Sequence, residues 1–280
     1  MSMSKKVFIS IDMEGISGIV SGDETGGETG EYLVGRRLMV GDLNAAIEGI
    51  LEAGAEEIVV ADAHGGKRNL PPEDVHEAAI LMRGSPRPFE MMEGISSEFD
   101  AAMFVGYHAR MGCPKAILCH TYSGGTVESI HMNGVEVGET GLNAALAGHY
   151  GVPVVFVSGD DAVAEEAKAI LPNITTAVVK WAVSRQAAKC LHPRKARELI
   201  KQKATEALQN AKKAKPFVFK PPVELRLRLF NPTMADAAEV LPTIERIDGT
   251  TIRGTYSDYP SAYRAARAAI SLAGTTVVRR

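Results

Sequence analysis

The chain has 280 residues, of which 45% are hydrophobic, 23% are charged and 6% are aromatic. This length and composition allow one large buried core, or a main domain with a smaller companion. The formal net charge of −3 at pH 7 creates no extended positive field that would hold a phosphate backbone, so nucleic acid is not an expected partner.

Cysteines and apolar runs indicate the setting of the protein. The three cysteines, Cys113, Cys119 and Cys190, form neither a paired zinc spacing nor an even disulfide framework. The apolar run at residues 152–158 stops far short of the roughly 20 residues that a membrane-spanning helix requires, so no membrane partner is expected. Residues 1–6 lead straight into an apolar strand without a signal-peptide pattern. We therefore expect a reducing, cytoplasmic setting.

Short β-rich runs alternate with helical patterns up to about residue 185, which is typical of βαβ units around a largely parallel sheet. Apolar residues recur at helical spacing between residues 31 and 53, and Gly54 marks the C-terminal stop. A second helix is predicted at residues 141–149, and Asp160 and Asp161 are typical N-terminal caps of a third. The predicted strands are residues 7–12, 57–62, 101–107, 152–158 and 174–180.

Residues 111–138 interrupt this alternation. Their Asn133-Gly134 pair suits a tight type I′ hairpin turn, which predicts an insertion of strands beside the sheet. A basic helix is predicted at residues 194–213, and prolines then interrupt the chain before an alternating strand at 224–230. Further on, the sequence predicts a helix at 234–240, a hairpin across Asp248-Gly249 and an alanine-rich helix at 261–273.

The predicted fold is therefore α/β, with a mostly parallel sheet flanked by helices and a smaller C-terminal α+β domain. We place the boundary near Lys213, so that residues 1–213 form the metal-binding catalytic domain and residues 214–280 the small one. The basic helix and the small domain are where subunit contacts are expected, although a helix rich in lysine and arginine also suits a solvated face.

The strongest local signal for chemistry is the sequence SIDMEG at residues 10–15, in which an apolar strand ends in two carboxylates. Residues i and i+2 of an extended chain project to the same side, so Asp12 and Glu14 would converge. Two anions this close repel unless a cation or a shared proton compensates, and a metal ion is the simplest compensation. The alternative is that both residues cap a loop or a helix.

Two other predicted strands end in histidine, at His64 and His108. A lone histidine is more often a structural residue, but three strand ends with metal-type ligands favour a shared site. In open α/β sheets, sites form in the crevice beyond the carboxyl ends of the strands, which is where these residues would meet.

Glu139 lies between glycines where the second helix is predicted to begin. It is either a first-turn acid that the helix dipole favours, or a fifth ligand that the glycines allow to approach a metal closely. Oxygen and imidazole ligands without a thiolate suit zinc, manganese or similar divalent ions, and five ligands exceed what one catalytic zinc usually takes. Two metals bridged by one carboxylate would use all five.

Seven short motifs follow one another along the chain, and together they are more specific than any one alone. They are SIDMEG (10–15), ADAH (61–64), GYHAR (106–110), CH (119–120), VGETGLNA (137–144), SGDD (158–161), and VK with SR (179–180 and 184–185). This series closely resembles the DppA-type D-aminopeptidase family of zinc peptidases, family M55.

The resemblance implies that two zinc ions per subunit are bridged by Asp12 and held also by Glu14, His64, His108 and Glu139. It implies substrates with a free N-terminal amine, such as small D-amino acid peptides or amino-acid amides. It further implies a ring-shaped homo-oligomer, for example a decamer.

The resemblance also assigns a histidine, proposed as the nucleophile, to the position of His120. We favour a role in moving protons or stabilising the tetrahedral oxyanion, because a metal-activated water is already available beside two metals. The alternative is a strand-end histidine that packs against Tyr122. A group of charged residues could contact the peptide carboxylate or amine, although each also suits a helix-capping or surface role: Arg110, Asp160, Asp161, Lys180 and Arg185.

The expected function is a dinuclear zinc aminopeptidase that hydrolyses the N-terminal amide bond of small peptides through a metal-activated water. Two alternatives stay open. The same ligands could hydrolyse phosphoesters, since paired metals also clamp phosphoryl oxygens. A non-catalytic, metal-stabilised peptide-binding protein would instead hold a closed, four-coordinate metal.

Overall fold

A computed structural model describes residues 5–27 and 29–277, which form twelve strands and six α-helices. The strands are β1 (Lys5–Ile11), β2 (Ala55–Asp62), β3 (Ala79–Met82), β4 (Ala101–Tyr107), β5 (Val127–Met132), β6 (Val135–Glu136), β7 (Val154–Asp160), β8 (Thr175–Ser184), β9 (Ala187–Cys190), β10 (Val223–Leu229), β11 (Glu245–Arg246) and β12 (Thr251–Tyr256). The helices are α1 (Gly30–Glu52), α2 (Glu139–His149), α3 (Asp161–Ile170), α4 (Pro193–Gln209), α5 (Pro232–Ala238) and α6 (Tyr259–Gly274).

Seven strands form the main sheet, in the order β3-β2-β1-β4-β7-β8-β9. All neighbouring pairs from β3 to β8 are parallel, and β9 alone pairs antiparallel, with β8. The chain adds strands on one side of β1 and then, from β4 onward, on the other side. The point between β1 and β4 is therefore a topological switch point, where ligands bind in open α/β sheets. The predicted mostly parallel sheet flanked by helices is confirmed.

Helices cover both faces of this sheet. Alternation along β1 places Val7 and Ile9 in a core with α1 and α4, whereas Phe8 lies in a second core with α2, α3 and α6. Since a strand that is buried on both faces has no polar side, β1, β4 and β7 read as nearly continuous apolar runs. Each fully buried Val, Ile or Phe contributes about 1.5–3 kcal/mol to the free energy of unfolding.

A second, antiparallel sheet has the order β11-β12-β10-β5-β6. Asn133 and Gly134 join β5 to β6 with φ values of 49° and 80°, as the predicted type I′ turn requires. The strands of the insertion and the strands of the C-terminal region thus share one sheet. The division of the chain at residue 213 stays a prediction.

Two strands, β3 and β9, were not predicted. Each has four residues, and neither shows the alternation of buried and exposed positions that marks a half-buried strand. The basic helix α4 ends at Gln209, before the predicted residue 213, and a short 3₁₀ turn follows it. Within the described residues, no helix combines the length and the apolar character needed to cross a bilayer.

Candidate metal centre

The candidate ligands lie at the carboxyl ends of three adjacent strands. Asp12 directly follows β1, His108 directly follows β4, and His64 comes two residues after β2. Because β1 lies between β2 and β4, both histidines reach the carboxylate at its end. The structure therefore brings these residues together at the switch point of the sheet.

Asp12 faces the two histidines with different oxygens. Its Oδ1 lies 3.2 Å from Nδ1 of His64, and its Oδ2 lies 3.4 Å from Nε2 of His108. The carboxyl group is buried, and only 3% of the residue is exposed. A carboxylate that presents one oxygen to each of two imidazoles has the geometry of a bridge between two metal positions.

Two groups of three ligands share this carboxylate. We call Asp12, Glu14 and His64 the outer cluster, and Asp12, His108 and Glu139 the inner cluster; in each, the ligand atoms lie within 4.8 Å of one another. Contacts within them measure 3.0–3.4 Å. Two ligands about 2.0–2.1 Å from a tetrahedral zinc ion lie roughly 3.3 Å apart, so both clusters have the spacing of a zinc site.

Backbone carbonyls fix the hydrogen on each imidazole of the site. Nε2 of His64 lies 2.8 Å from the carbonyl oxygen of Thr25, Nδ1 of His108 lies 3.0 Å from that of Ala109, and Nδ1 of His120 lies 2.8 Å from that of Leu118. A carbonyl can only accept, so these nitrogens donate, and in the neutral ring the opposite nitrogen keeps its lone pair toward the carboxylates. Metal-binding histidines characteristically have such second partners.

Nε2 of His108 is buried and has no hydrogen-bond partner among the residues that the structure describes. Buried polar atoms are nearly always satisfied, so this nitrogen calls for an explanation. A metal ion between His108, Asp12 and Glu139 would provide it.

The charges of the site compensate one another despite burial. Burial alone would raise the pKa of Asp12, yet His108 and His64 hold that pKa well below its ordinary value. Burial alone would lower the pKa values of both histidines, but Glu14 and Asp12 raise that of His64, and Glu139 and Asp12 raise that of His108, well above the usual range. Three buried carboxylates thus demand positive charge, which divalent cations supply.

His120 lies at the edge of the two clusters. Its Nε2 is 3.8 Å from Oε1 of Glu139 and 4.0 Å from Oε1 of Glu14. Its ring stacks on that of His108, with centroids 4.1 Å apart and planes 15° from parallel. Glu139, the first residue of α2, is oriented by the backbone N–H of Tyr122, which donates to its Oε1 at 2.6 Å. His120 belongs to neither of the two clusters that share Asp12, but with Glu14 and His108 it forms a third set whose ligand atoms lie within 4.8 Å of one another.

A buried lysine organises the loop that carries Asp12 and Glu14. Nζ of Lys180 donates to the carbonyl oxygens of Glu14, Ile16 and Ile19, at 2.6, 2.9 and 2.6 Å. Burial lowers the pKa of Lys180 to about 8. Because all three contacts are to the backbone, Lys180 holds the loop in place and does not reach the cavity.

The other charged residues considered from the sequence make structural contacts. Asp160 caps α3 through the backbone N–H of Val163 at 2.9 Å. Asp161 accepts from the backbone N–H of Ala182 at 3.0 Å, and Arg110 pairs with Glu136 at 2.9 Å. Arg185 donates from Nη2 to the carbonyl oxygen of Cys119 at 3.5 Å. None of these residues lines the cavity of the site.

A cavity of about 210 Å³ opens onto Asp12, His64, His120 and Glu139. Its other walls include Tyr122 and two residues that the sequence did not single out, Lys67 and Arg267. Arg267 lies in α6, far along the chain from the candidate ligands, and no motif surrounds it. A lone arginine in an alanine-rich helix carries no signal that would have identified it.

Comparisons with known proteins agree with this site. A model of the family Peptidase M55, described as D-aminopeptidase, matches residues 5–268. A D-aminopeptidase of Bacillus subtilis (strain 168) is 40% identical over 263 residues, which cover 93% of this chain and 94% of that protein. The solved structure of the Zn-dependent D-aminopeptidase DppA from Bacillus subtilis, described as a self-compartmentalizing protease, is similar with a TM-score of 0.95 and 38% identity, and the match covers 98% of this chain and 99% of that chain.

Proposed function

The chain belongs to the D-aminopeptidase family M55, and from this premise we propose that it is a zinc-dependent aminopeptidase with two zinc ions per subunit. Family membership makes it a hydrolase that acts on peptide bonds. The relatives are named for D-amino acid substrates and, in one case, for zinc dependence. We carry both properties to this chain, with small peptides that have a free N-terminal amine as the substrates.

The arrangement of Asp12 carries the proposal of two ions. One oxygen of this carboxylate faces His64 and the other faces His108, so each oxygen belongs to a separate cluster. A single ion would leave one of the two clusters without compensation for its buried carboxylates. The donor set also fits zinc, since it consists of imidazole nitrogens and carboxylate oxygens whose spacing suits a tetrahedral ion.

When bound, the two ions would supply Lewis-acid polarisation of the scissile carbonyl and a water of lowered pKa. Asp12, Glu14, His64, His108 and Glu139 would hold them. Burial of Asp12, Glu14, His108 and Glu139 lowers the effective dielectric constant around them, which strengthens the electrostatic interactions of the site.

His120 is proposed to move protons. Its Nδ1 is committed to the carbonyl of Leu118, so Nε2, on the side of Glu14 and Glu139, is the atom that takes up a proton. It would accept the proton of the attacking water and deliver it to the leaving amine, so that the ring returns to its starting state. The stack on His108 limits rotation of the ring and keeps Nε2 facing the site.

The two other functions considered from the sequence have no observation in their favour. The relatives are peptidases and not phosphoesterases. A metal-stabilised binding protein would enclose its metal, whereas three of the candidate ligands here, Asp12, His64 and Glu139, line a cavity that admits a small ligand.

We also propose a ring-shaped homo-oligomer, for example a decamer. A similar protein is described as self-compartmentalizing, which requires several subunits around a shared space. The C-terminal residues 214–277, together with α4, are proposed as the region of subunit contacts. Light scattering would test this proposal, since a decamer has ten times the 29.9 kDa mass of the chain.

Zinc content and hydrolysis of D- and L-alanine para-nitroanilide test the proposed function together. We expect about two zinc ions per wild-type chain and hydrolysis of the D-substrate. The variant His120→Ala should retain both ions yet lose roughly 10²–10⁴-fold in kcat, because it lacks the proton-moving group. His149→Ala, which alters an exposed histidine of α2, is the matched control and should behave as wild type.

One zinc ion or fewer per wild-type chain would contradict the dinuclear centre. Full activity in His120→Ala would contradict the role of that ring, and hydrolysis of nitrophenyl phosphate without hydrolysis of either anilide would favour the phosphoesterase.

A further inference from the structure

One wall of the cavity beside the candidate metal centre is cationic. Arg267 of α6 and Lys67, which follows β2, both line the space onto which Asp12 and Glu139 open. Neither belongs to a ligand cluster, and the proton-moving role of His120 does not involve them. The proposed mechanism therefore assigns no ligand to these two cations.

The guanidinium of Arg267 is held in place but lacks hydrogen-bond acceptors. Its central carbon lies 4.0 Å from the centroid of the Tyr122 ring, a close cation–π contact. Nη2 lies 3.7 Å from a carboxylate oxygen of Glu90, which is too long for a hydrogen bond. Nε and Nη1 are buried and have no partner within residues 5–27 and 29–277.

Such an arrangement is costly for a protein with no ligand there. A buried donor to which no acceptor is offered loses its hydration without compensation, and a charged donor loses more. Arginine also presents its N–H groups in a planar fork that matches a carboxylate. An orientated, unsatisfied guanidinium at a cavity wall is therefore suited to an anionic ligand.

Lys67 adds a second positive charge at the same wall. Its Nζ lies 3.1 Å from Glu90 and donates to the carbonyl oxygen of Gly65 at 3.0 Å. Glu90 is thus shared by Lys67 and Arg267, and one anion does not balance two cations.

One residue, Tyr122, contacts both the cationic wall and the candidate metal centre. Tyr122 places its ring under Arg267 and donates its backbone N–H to Glu139. The cavity is small, about 210 Å³, which favours a short peptide over a long one.

We propose that Arg267, supported by Lys67, binds the C-terminal carboxylate of the substrate while its N-terminal bond lies at the metal centre. This inference rests on the proposed aminopeptidase function and adds a residue that determines specificity. The separation between the metal centre and the guanidinium would therefore select substrates by their length. The enzyme would prefer a dipeptide with a free carboxylate to the same dipeptide with a C-terminal amide.

Hydrolysis of D-alanyl-glycine and D-alanyl-glycinamide by the zinc-loaded enzyme tests this proposal. Both have the same scissile bond, and only the first has a carboxylate. We expect wild type to favour the acid by roughly 10- to 100-fold in kcat/KM, mainly through KM, which is the effect of hydrogen bonds to a charged group. In Arg267→Gln this ratio should fall close to one, and in Arg267→Lys it should be intermediate.

Arg264→Gln is the matched control, because Arg264 is an exposed arginine of the same helix that does not line the cavity. It should keep the wild-type ratio. A wild-type ratio near one would overturn the proposal, and this measurement does not depend on the folding of any variant. An unchanged ratio in Arg267→Gln would overturn it as well. Hydrolysis of neither substrate by zinc-loaded wild type would instead refute the proposed function, and the inference would fall with it.

Discussion

The two ligand clusters share Asp12 but differ in their surroundings. In the inner cluster, the side chains of His108 and Glu139 are 2% and 4% exposed, and His108 is stacked under His120. In the outer cluster, the side chain of His64 is 16% exposed and that of Glu14 is 8% exposed. Because an ion leaves a site more readily when its ligands can move into solvent, we expect the outer ion to exchange faster than the inner one.

The supports of the two clusters differ as well. Glu139 is fixed by the first turn of α2 and by the N–H of Tyr122. Glu14 lies in a loop, whose shape depends on Lys180 and on Gly15, where a Cβ would collide with the carbonyl oxygen of Tyr107. The inner cluster is thus built on regular structure, whereas the outer cluster relies on a loop that other residues hold in place.

The substitution Asp12→Asn should have the largest effect, because it removes charge from both clusters at once. An amide keeps the shape of the side chain but replaces one anionic oxygen with an N–H donor. We expect zinc content to fall well below two per chain and kcat/KM to fall by more than about 10³-fold. Elemental analysis of the dialysed protein, with steady-state kinetics, would measure both. Two retained zinc ions would show that Asp12 is not the bridge.

The pair His108→Ala and His64→Ala should separate the clusters. Each variant should bind one zinc ion fewer than wild type. His108→Ala should also lower the free energy of unfolding of the metal-free protein, by about 1–3 kcal/mol, because it leaves a cavity under His120 and unpaired buried carboxylates.

His64→Ala should lower that free energy less, since part of its ring is exposed and the gap can fill with water. Urea unfolding in the presence of a chelator would measure the difference. Equal losses in the two variants would contradict the distinction between inner and outer clusters.

The smallest effect on the metal centre itself is expected from Lys180, whose contribution is a pH dependence of stability. Burial lowers its pKa from 10.5 to about 8, so the unfolded chain binds more protons than the folded one between these values. Stability therefore rises with pH across that window; the penalty for burying the charge is fully present below pH 8 and is relieved above it.

Wild type should thus gain up to about 3 kcal/mol relative to Lys180→Met between pH 8 and 10.5. Urea unfolding of both chains across this range would measure the gain. The variant should also weaken binding of the outer ion first, because Lys180 contacts Glu14 and no ligand of the inner cluster. A parallel pH profile of the two proteins would exclude the assigned pKa.

Local patterns in the sequence determined most of the main sheet and the candidate ligands. The apolar runs of β1 and β4 were predicted from periodicity, and β4 has the predicted bounds. Asp12, His64 and His108 were recognisable because each lies within two residues of the end of such a run, and parallel strands end at one edge of their sheet. This inference needs only neighbours along the chain and one rule of α/β folds.

Long-range contacts decided the rest. The pairing of β5 with β10 joins residues about a hundred positions apart, and no periodicity in either strand specifies the other as its partner. The short strands β3 and β9 form only because a neighbouring strand already offers hydrogen bonds. The two faces of Asp12, and the position of Arg267 at the same cavity, likewise depend on how separate elements pack. The periodicity of apolar residues shows which face of a helix or strand is buried. Which other element covers that face depends on packing in three dimensions.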